Sequence, residues 1–195
     1  MEAPVTRTGT GPRRADAIYA ATLELLAAHG YDGLTMEAVA QRSGVNKTTL
    51  YRWWPSKDAL FAAALTTADI LAITIPDTGT LRGDLLALAT DIARLLTAEA
   101  TAPIVTAVLA AAPTRPQLAA TGRAFFAERL AREQSVFTRA VERGELSASA
   151  SASAIMDMLA GALWFRLMLR AEPLTAAYVE TSVGIILDGV GSQGH

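Results

Sequence analysis

The chain has 195 residues, a net charge of -2, no cysteine and 51% hydrophobic side chains. That length allows one or two domains with a sizeable core, and the lack of cysteine excludes disulfides, thiolate nucleophiles and cysteine-based zinc sites. The opening MEAPVTRTGTGPRR carries no apolar run of a secretory signal, and no uninterrupted apolar run of about 18 residues marks a membrane span, so a cytoplasmic protein with no membrane partner is expected.

Residues 1–11 are rich in Thr, Gly and Pro and read as a disordered arm. From Pro12 a first helix is expected, with Ala17, Ile18, Ala21, Leu25 and Ala28 on one stripe and Gly30 as its stop. Thr35 caps a two-turn helix that Ser43 and Gly44 break. Asn46 caps a third, which Pro55 closes because a residue before proline is driven out of the helical region. Ser56 caps a fourth helix reaching to about Ile73, with Leu60, Ala64, Ala68 and Leu71 at helical spacing. Beyond Pro76 and Gly79, Ala- and Leu-rich segments predict helices at about 80–98, 101–112, 116–143, 147–170 and 174–190, separated by prolines and Gly144. The chain is therefore read as all-α: a helix-turn-helix domain over residues 12–60 and a larger helical domain over 61–195.

Charge distribution says more than net charge. Between Glu37 and Asp58 there is no acid, while Arg42, Lys47, Arg52 and Lys57 fall in that window, and its two lysines are the only ones in the chain. Two short helices joined by a glycine turn and carrying this basic window form a helix-turn-helix whose second helix is suited to a DNA major groove. At 100° per residue with Leu50 at zero, Trp54 falls near 40°, Trp53 near 300°, Tyr51 near 100° and Arg52 near 200°. Trp54 is thus expected inside with Leu25, Val39 and Leu50, whereas Tyr51, Arg52 and Trp53 point outward or flank the exposed face.

The stretch GYDGLTMEAVAQRSGVNKTTLYRWWPSKDALFAAAL, residues 30–65, resembles the DNA-binding domain of the TetR family of bacterial transcriptional regulators. The resemblance rests on the Gly30 to Thr35 lead-in, the Gly44-Val45 turn, Lys47, Leu50-Tyr51, Trp54, Lys57 and Leu60. It implies a homodimer that places two recognition helices in successive major grooves of a palindromic operator in double-stranded DNA. Thr35, Tyr51, Trp53 and Lys57 would then hold phosphates, and Val45, Asn46, Lys47, Thr48, Thr49 and Arg52 would face base edges or their rim. Arg13 and Arg14 are candidates for the DNA backbone or minor groove.

The last two helices, heavily apolar and carrying Ala160, Gly161, Ala162 and Gly184, are expected to form the homodimer interface. The helices before them resemble the family's small-molecule sensor. A mainly apolar effector site is expected there, with Leu88, Thr106, Leu109, Phe125, Phe126, Arg129, Trp164 and Met168 as candidates. No metal, cofactor or catalytic residue is expected: the only histidines are His29 and His195, and no catalytic triad, phosphate loop or metal-ligand spacing is visible. The rival readings are a helical protein-interaction module and a transcriptional activator.

Overall fold

The computed structural model describes residues 14–67, 71–111 and 115–191. Among them the chain forms α1 (Ala15–Gly33), α2 (Met36–Ser43), α3 (Lys47–Trp53), α4 (Lys57–Thr67), α5 (Leu81–Thr97), α6 (Ala102–Ala111), α7 (Pro116–Glu142), α8 (Ala152–Trp164) and α9 (Ala176–Gly191), with no strand. Local chemistry sets most boundaries. The Thr35, Asn46, Thr80 and Ser151 side chains each accept from a backbone N–H in the first turn of the helix that follows, and Ser56 does the same for α4.

Gly30 has φ 66° and breaks α1, leaving one further turn before Leu34. Gly44 ends α2 in the left-handed region, its N–H bonded back to Ala40 and Gln41, and a β-carbon there would meet the Arg14 guanidinium at 3.3 Å. Trp54 leaves the helical region before Pro55 as steric crowding requires.

Three expectations shift. The buried face of α1 carries Ile18, Ala21, Thr22, Leu23 and Leu26, while Ala17 and Ala28 are exposed and Leu25 is half-buried. The fourth helix stops at Thr67, and residues 72–78 run without helix to the next cap, with Leu71 and Ile73 buried; Ala68 lies outside the described residues. Residues 147–150 form a turn, so α8 begins at Ala152; it ends in a π-helical turn, Phe165–Leu169.

α1 packs against α2, α4 and α6; α5 packs against α8 and α9. One continuous apolar core therefore runs from Leu50 and Trp54 through Phe61 and Leu85 to Leu159 and Val183. The stretch Ala152–Leu169, interrupted in sequence by Asp157 and Arg166, is apolar and long enough by composition to cross a membrane, yet only 22% of it is buried within the chain.

Candidate DNA interface and effector cavity

Asn46 starts α3 by accepting from the Thr48 N–H at 2.9 Å and the Thr48 hydroxyl at 2.8 Å. Its oxygen is thereby used, leaving the amide donors for a base edge. Leu50 is fully buried and Trp54 nearly so, its ring meeting Tyr19 of α1 edge-on at 5.6 Å. Tyr51 and Trp53, in contrast, are 45% and 37% exposed. Lys47, Thr48 and Arg52 are exposed, and Val45 and Thr49 are half-buried at the rim. The Thr35 oxygen accepts from Ala38 at 3.1 Å, which leaves its hydroxyl proton available.

Folding redistributes the basic window. Arg42 pairs with Glu24 of α1 at 2.8 Å, and Lys47 pairs with Glu37 of α2. The Lys47 hydrogen bond holds the Glu37 carboxyl below its ordinary value. Lys57 donates to the carbonyls of Tyr31 and Leu34 at 3.0 and 3.2 Å and lies over the Tyr31 ring. With two of its three donors used inside the fold, one remains for a phosphate. Arg14 donates to the Gly44 carbonyl at 3.0 Å, bolting α1 to the turn; Arg13 lies outside the described residues. Among the four cations of the window, Arg52 alone has no described partner.

A second feature lies between α5, α6, α7 and α8. A cavity of about 520 Å³ is bounded by the last turns of α5 (Ile92, Leu95, Leu96), by Ile104, Val105 and Val108, by the α7 stripe from Gly122 to Glu133, and by Met156, Ala160 and Trp164. Leu65 of α4 and Leu71 close one side. Phe125, Phe126 and Trp164 form a run of edge-on rings at 5.5 and 5.8 Å. Arg129 bonds Glu133 one turn along at 3.1 Å, and both groups are drawn from water. Burial raises the Glu133 carboxyl above its ordinary range and lowers Arg129, while their pairing opposes both shifts.

Matches to known families span the segments that carry both features. Residues 18–64 match the model for bacterial regulatory proteins of the tetR family, and residues 75–186 match that for the tetracyclin repressor-like C-terminal domain. The chain belongs to the TetR family. An uncharacterised HTH-type transcriptional regulator of Mycobacterium tuberculosis, Rv1556, is 36% identical over 185 residues, 94% of this chain and 90% of the relative. The HTH-type transcriptional regulator AqdR of Rhodococcus erythropolis is 29% identical over 182 residues, 92% and 86% of the two chains. The crystal structure of the TetR family transcription regulator SCO0332 superposes with a TM-score of 0.72 at 37% identity, covering 92% of this chain and 99% of the other. The TetR-family chain is thus a DNA-binding transcription regulator and not an enzyme.

Of the cavity residues expected from sequence, Phe125, Phe126, Arg129 and Trp164 stand on its wall. Leu88 does not: it lies about a turn before Ile92 and is fully buried in the core. Thr106 is exposed, facing away from the side of α6 that carries Ile104 and Val108. Met168 sits in the π-helical turn, 37% exposed and off the wall, and the Leu109 side chain lies outside the described residues. Glu133 was missed. The signal for it was its i,i+4 spacing from Arg129 on an otherwise apolar stripe.

Proposed function

We propose that this TetR-family chain is a homodimeric repressor that binds a palindromic operator in double-stranded DNA and is released by a small, mainly apolar effector. The observation that carries the DNA reading is α3, which buries Leu50 and turns Thr48, Tyr51, Arg52 and Trp53 outward. Arg52 is placed to meet a guanine edge; Lys47, Thr48, Thr49, Asn46 and Val45 line the same groove, with Thr35, Tyr51, Trp53 and Lys57 on phosphates. The reading divides the chain into a DNA-binding unit over 12–60 and a sensing and dimerising unit over 61–195, working in the cytoplasm where the operator is.

An effector in the cavity touches Leu65 of α4, and α6, another cavity wall, packs on α1. A ligand preferring one spacing of the two recognition helices would shift operator binding by its differential affinity for the two states. Selection of bound genomic fragments with the purified protein should recover a palindrome. On that site Arg52→Ala is expected to lose about 1–3 kcal/mol of operator affinity and relax one base position, whereas Lys57→Ala weakens binding to every sequence and lowers the salt slope by about one. Gel-shift titrations at several salt concentrations in which both variants match the parent would sink the assignment.

A further inference from the structure

The ionisable groups on the cavity wall do not balance. Among the described residues they are Arg129, Glu133 and Asp157. Arg129 and Glu133 hold one another at 3.1 Å, and the Arg129 Nη2 is buried without an acceptor, out of a ligand's reach. Those two charges cancel, and Arg132 stands in the smaller cleft beyond them, off this wall. Asp157 is exposed at the edge of the cavity and has no described partner, so one negative charge is left over at the rim. The same edge is aromatic. Trp164 follows Asp157 by seven residues on one face of α8, about 10 Å along the axis, and a long helical side chain leans toward the preceding turns, here toward Asp157. Between them stands Gly161, where a β-carbon would meet nothing within 4 Å. Phe126 of α7 meets the Trp164 ring edge-on at 5.8 Å and is 46% exposed, so aromatic surface stays accessible beside the unpaired carboxylate.

We propose that the cavity takes a hydrophobic cation: an apolar body in the chamber and one ammonium group at the rim, set between Asp157 and the rings of Trp164 and Phe126. Asp157 supplies the counter-charge. An ion pair at an exposed carboxylate is weak by itself, and the aromatic rings add to it because their faces carry the negative end of the ring quadrupole. A quaternary ammonium suits such a rim best, since its charge is spread over methyl groups that pack on rings and ask for no hydrogen-bond acceptor. A carboxylate placed at the same point meets Asp157 as a like charge and ring faces of its own sign. A neutral polar group gains neither attraction. The apolar body has the rest of the chamber, whose volume of about 520 Å³ falls within the range of about 300–1,000 Å³ typical of small-molecule sites.

The inference rests on the cavity being the effector site, and two measurements separate the claims. The full-length protein is titrated by calorimetry at neutral pH with three probes that share one aromatic body, naphthylmethyl-trimethylammonium, naphthylmethanol and naphthylacetate, and operator release by each is read separately by gel shift. The ammonium probe is expected to bind about tenfold more tightly than the alcohol, and the acid more weakly than either. Added salt should narrow the lead of the ammonium probe, because Asp157 is in contact with solvent. Asp157→Asn should cost the ammonium probe about threefold, leave the alcohol unchanged and strengthen the acid. Trp164→Leu keeps apolar bulk without the π face and should also shrink the lead; should it fail to fold, the ranking and Asp157→Asn, a change at an exposed side chain, decide alone. A lead for the alcohol or the acid, no binding of the ammonium probe, or a lead undiminished in Asp157→Asn overturns the inference. Selective binding of the ammonium probe without operator release supports the chemistry of the cavity and overturns its role as the effector site.

Discussion

Glu37 and Lys47 hold one another across the helix-turn-helix, so in the proposed complex Glu37 and a phosphate or base would compete for the same ammonium group. In the Glu37→Gln variant that competitor is gone. Binding to non-cognate DNA is expected to tighten, and the dependence on salt to steepen by about one counterion, measured by titration between low and moderate salt. Tyr31 presents a different imbalance: its hydroxyl is buried without a partner, while its ring carries Lys57 at 4.5 Å, Arg115 at 5.0 Å and Phe61 edge-on. Tyr31→Phe keeps the ring and removes the unsatisfied group. Its Tm should stay level or rise by about 2–4 °C, the shift that ~1 kcal/mol produces in a chain of this size. Glu133 sets a pH dependence. Its folded-state carboxyl lies above the ordinary value, because burial outweighs Arg129, so the folded state binds the proton more tightly than the unfolded chain. Stability should therefore fall as pH rises from the usual carboxylate range through the raised value, and the difference in Tm between parent and Glu133→Gln should carry that slope.

At the level of elements, caps and breakers were the legible part of the sequence. Thr35, Gly44, Asn46, Pro55 and Ser56 act within a few residues of themselves, so their meaning does not depend on the rest of the fold. The phase of α1 was less legible. A helix rich in alanine has many apolar stripes of similar strength, and contact with α2, α4 and α6 on several sides decides which one is buried. The same ambiguity explains Leu88: its spacing is right for a wall, but the cavity meets only the last turns of α5. Charge partners were hidden for another reason. Glu24 and Arg42 are 18 residues apart, and only the crossing of α1 and α2 brings them together. Tyr31 and Arg115 show this on a larger scale: Arg115, at the start of α7, pairs with Asp32 and covers Tyr31, joining α7 to the end of α1. Such a tie is visible only after folding.

For the molecule as a whole, the surface left uncovered on α8 and α9 is a feature that a single chain does not explain. Ala154, Met158, Gly161 and Phe165 recur along α8 with helical spacing; Met158 and Phe165 are 51% and 57% exposed, and Ile185 on α9 is 68% exposed. A β-carbon added at Gly161 or Gly184 would meet nothing within 4 Å, so the fold of one chain does not demand glycine at either position. Small residues beside large exposed apolar ones suit close helix approach by a second copy, with two helices from each chain making a four-helix interface. An isologous contact of this kind repeats each substitution on both sides of the symmetry axis. In the proposed dimer Phe165→Glu therefore sets two carboxylates into one apolar seam, and that dimer should dissociate while the monomer, which leaves Phe165 largely in water, keeps its helical content. Sedimentation at micromolar concentration is expected to show the parent as a dimer and the variant as a monomer with an unchanged circular dichroism spectrum. If, as proposed, a palindrome is read by two recognition helices held at a fixed distance, the variant should bind the full operator no more tightly than a half-site. A parent that sediments as a monomer, or a monomeric variant that still prefers the full site, would overturn the symmetric arrangement while leaving the helix-turn-helix as the DNA-contacting element.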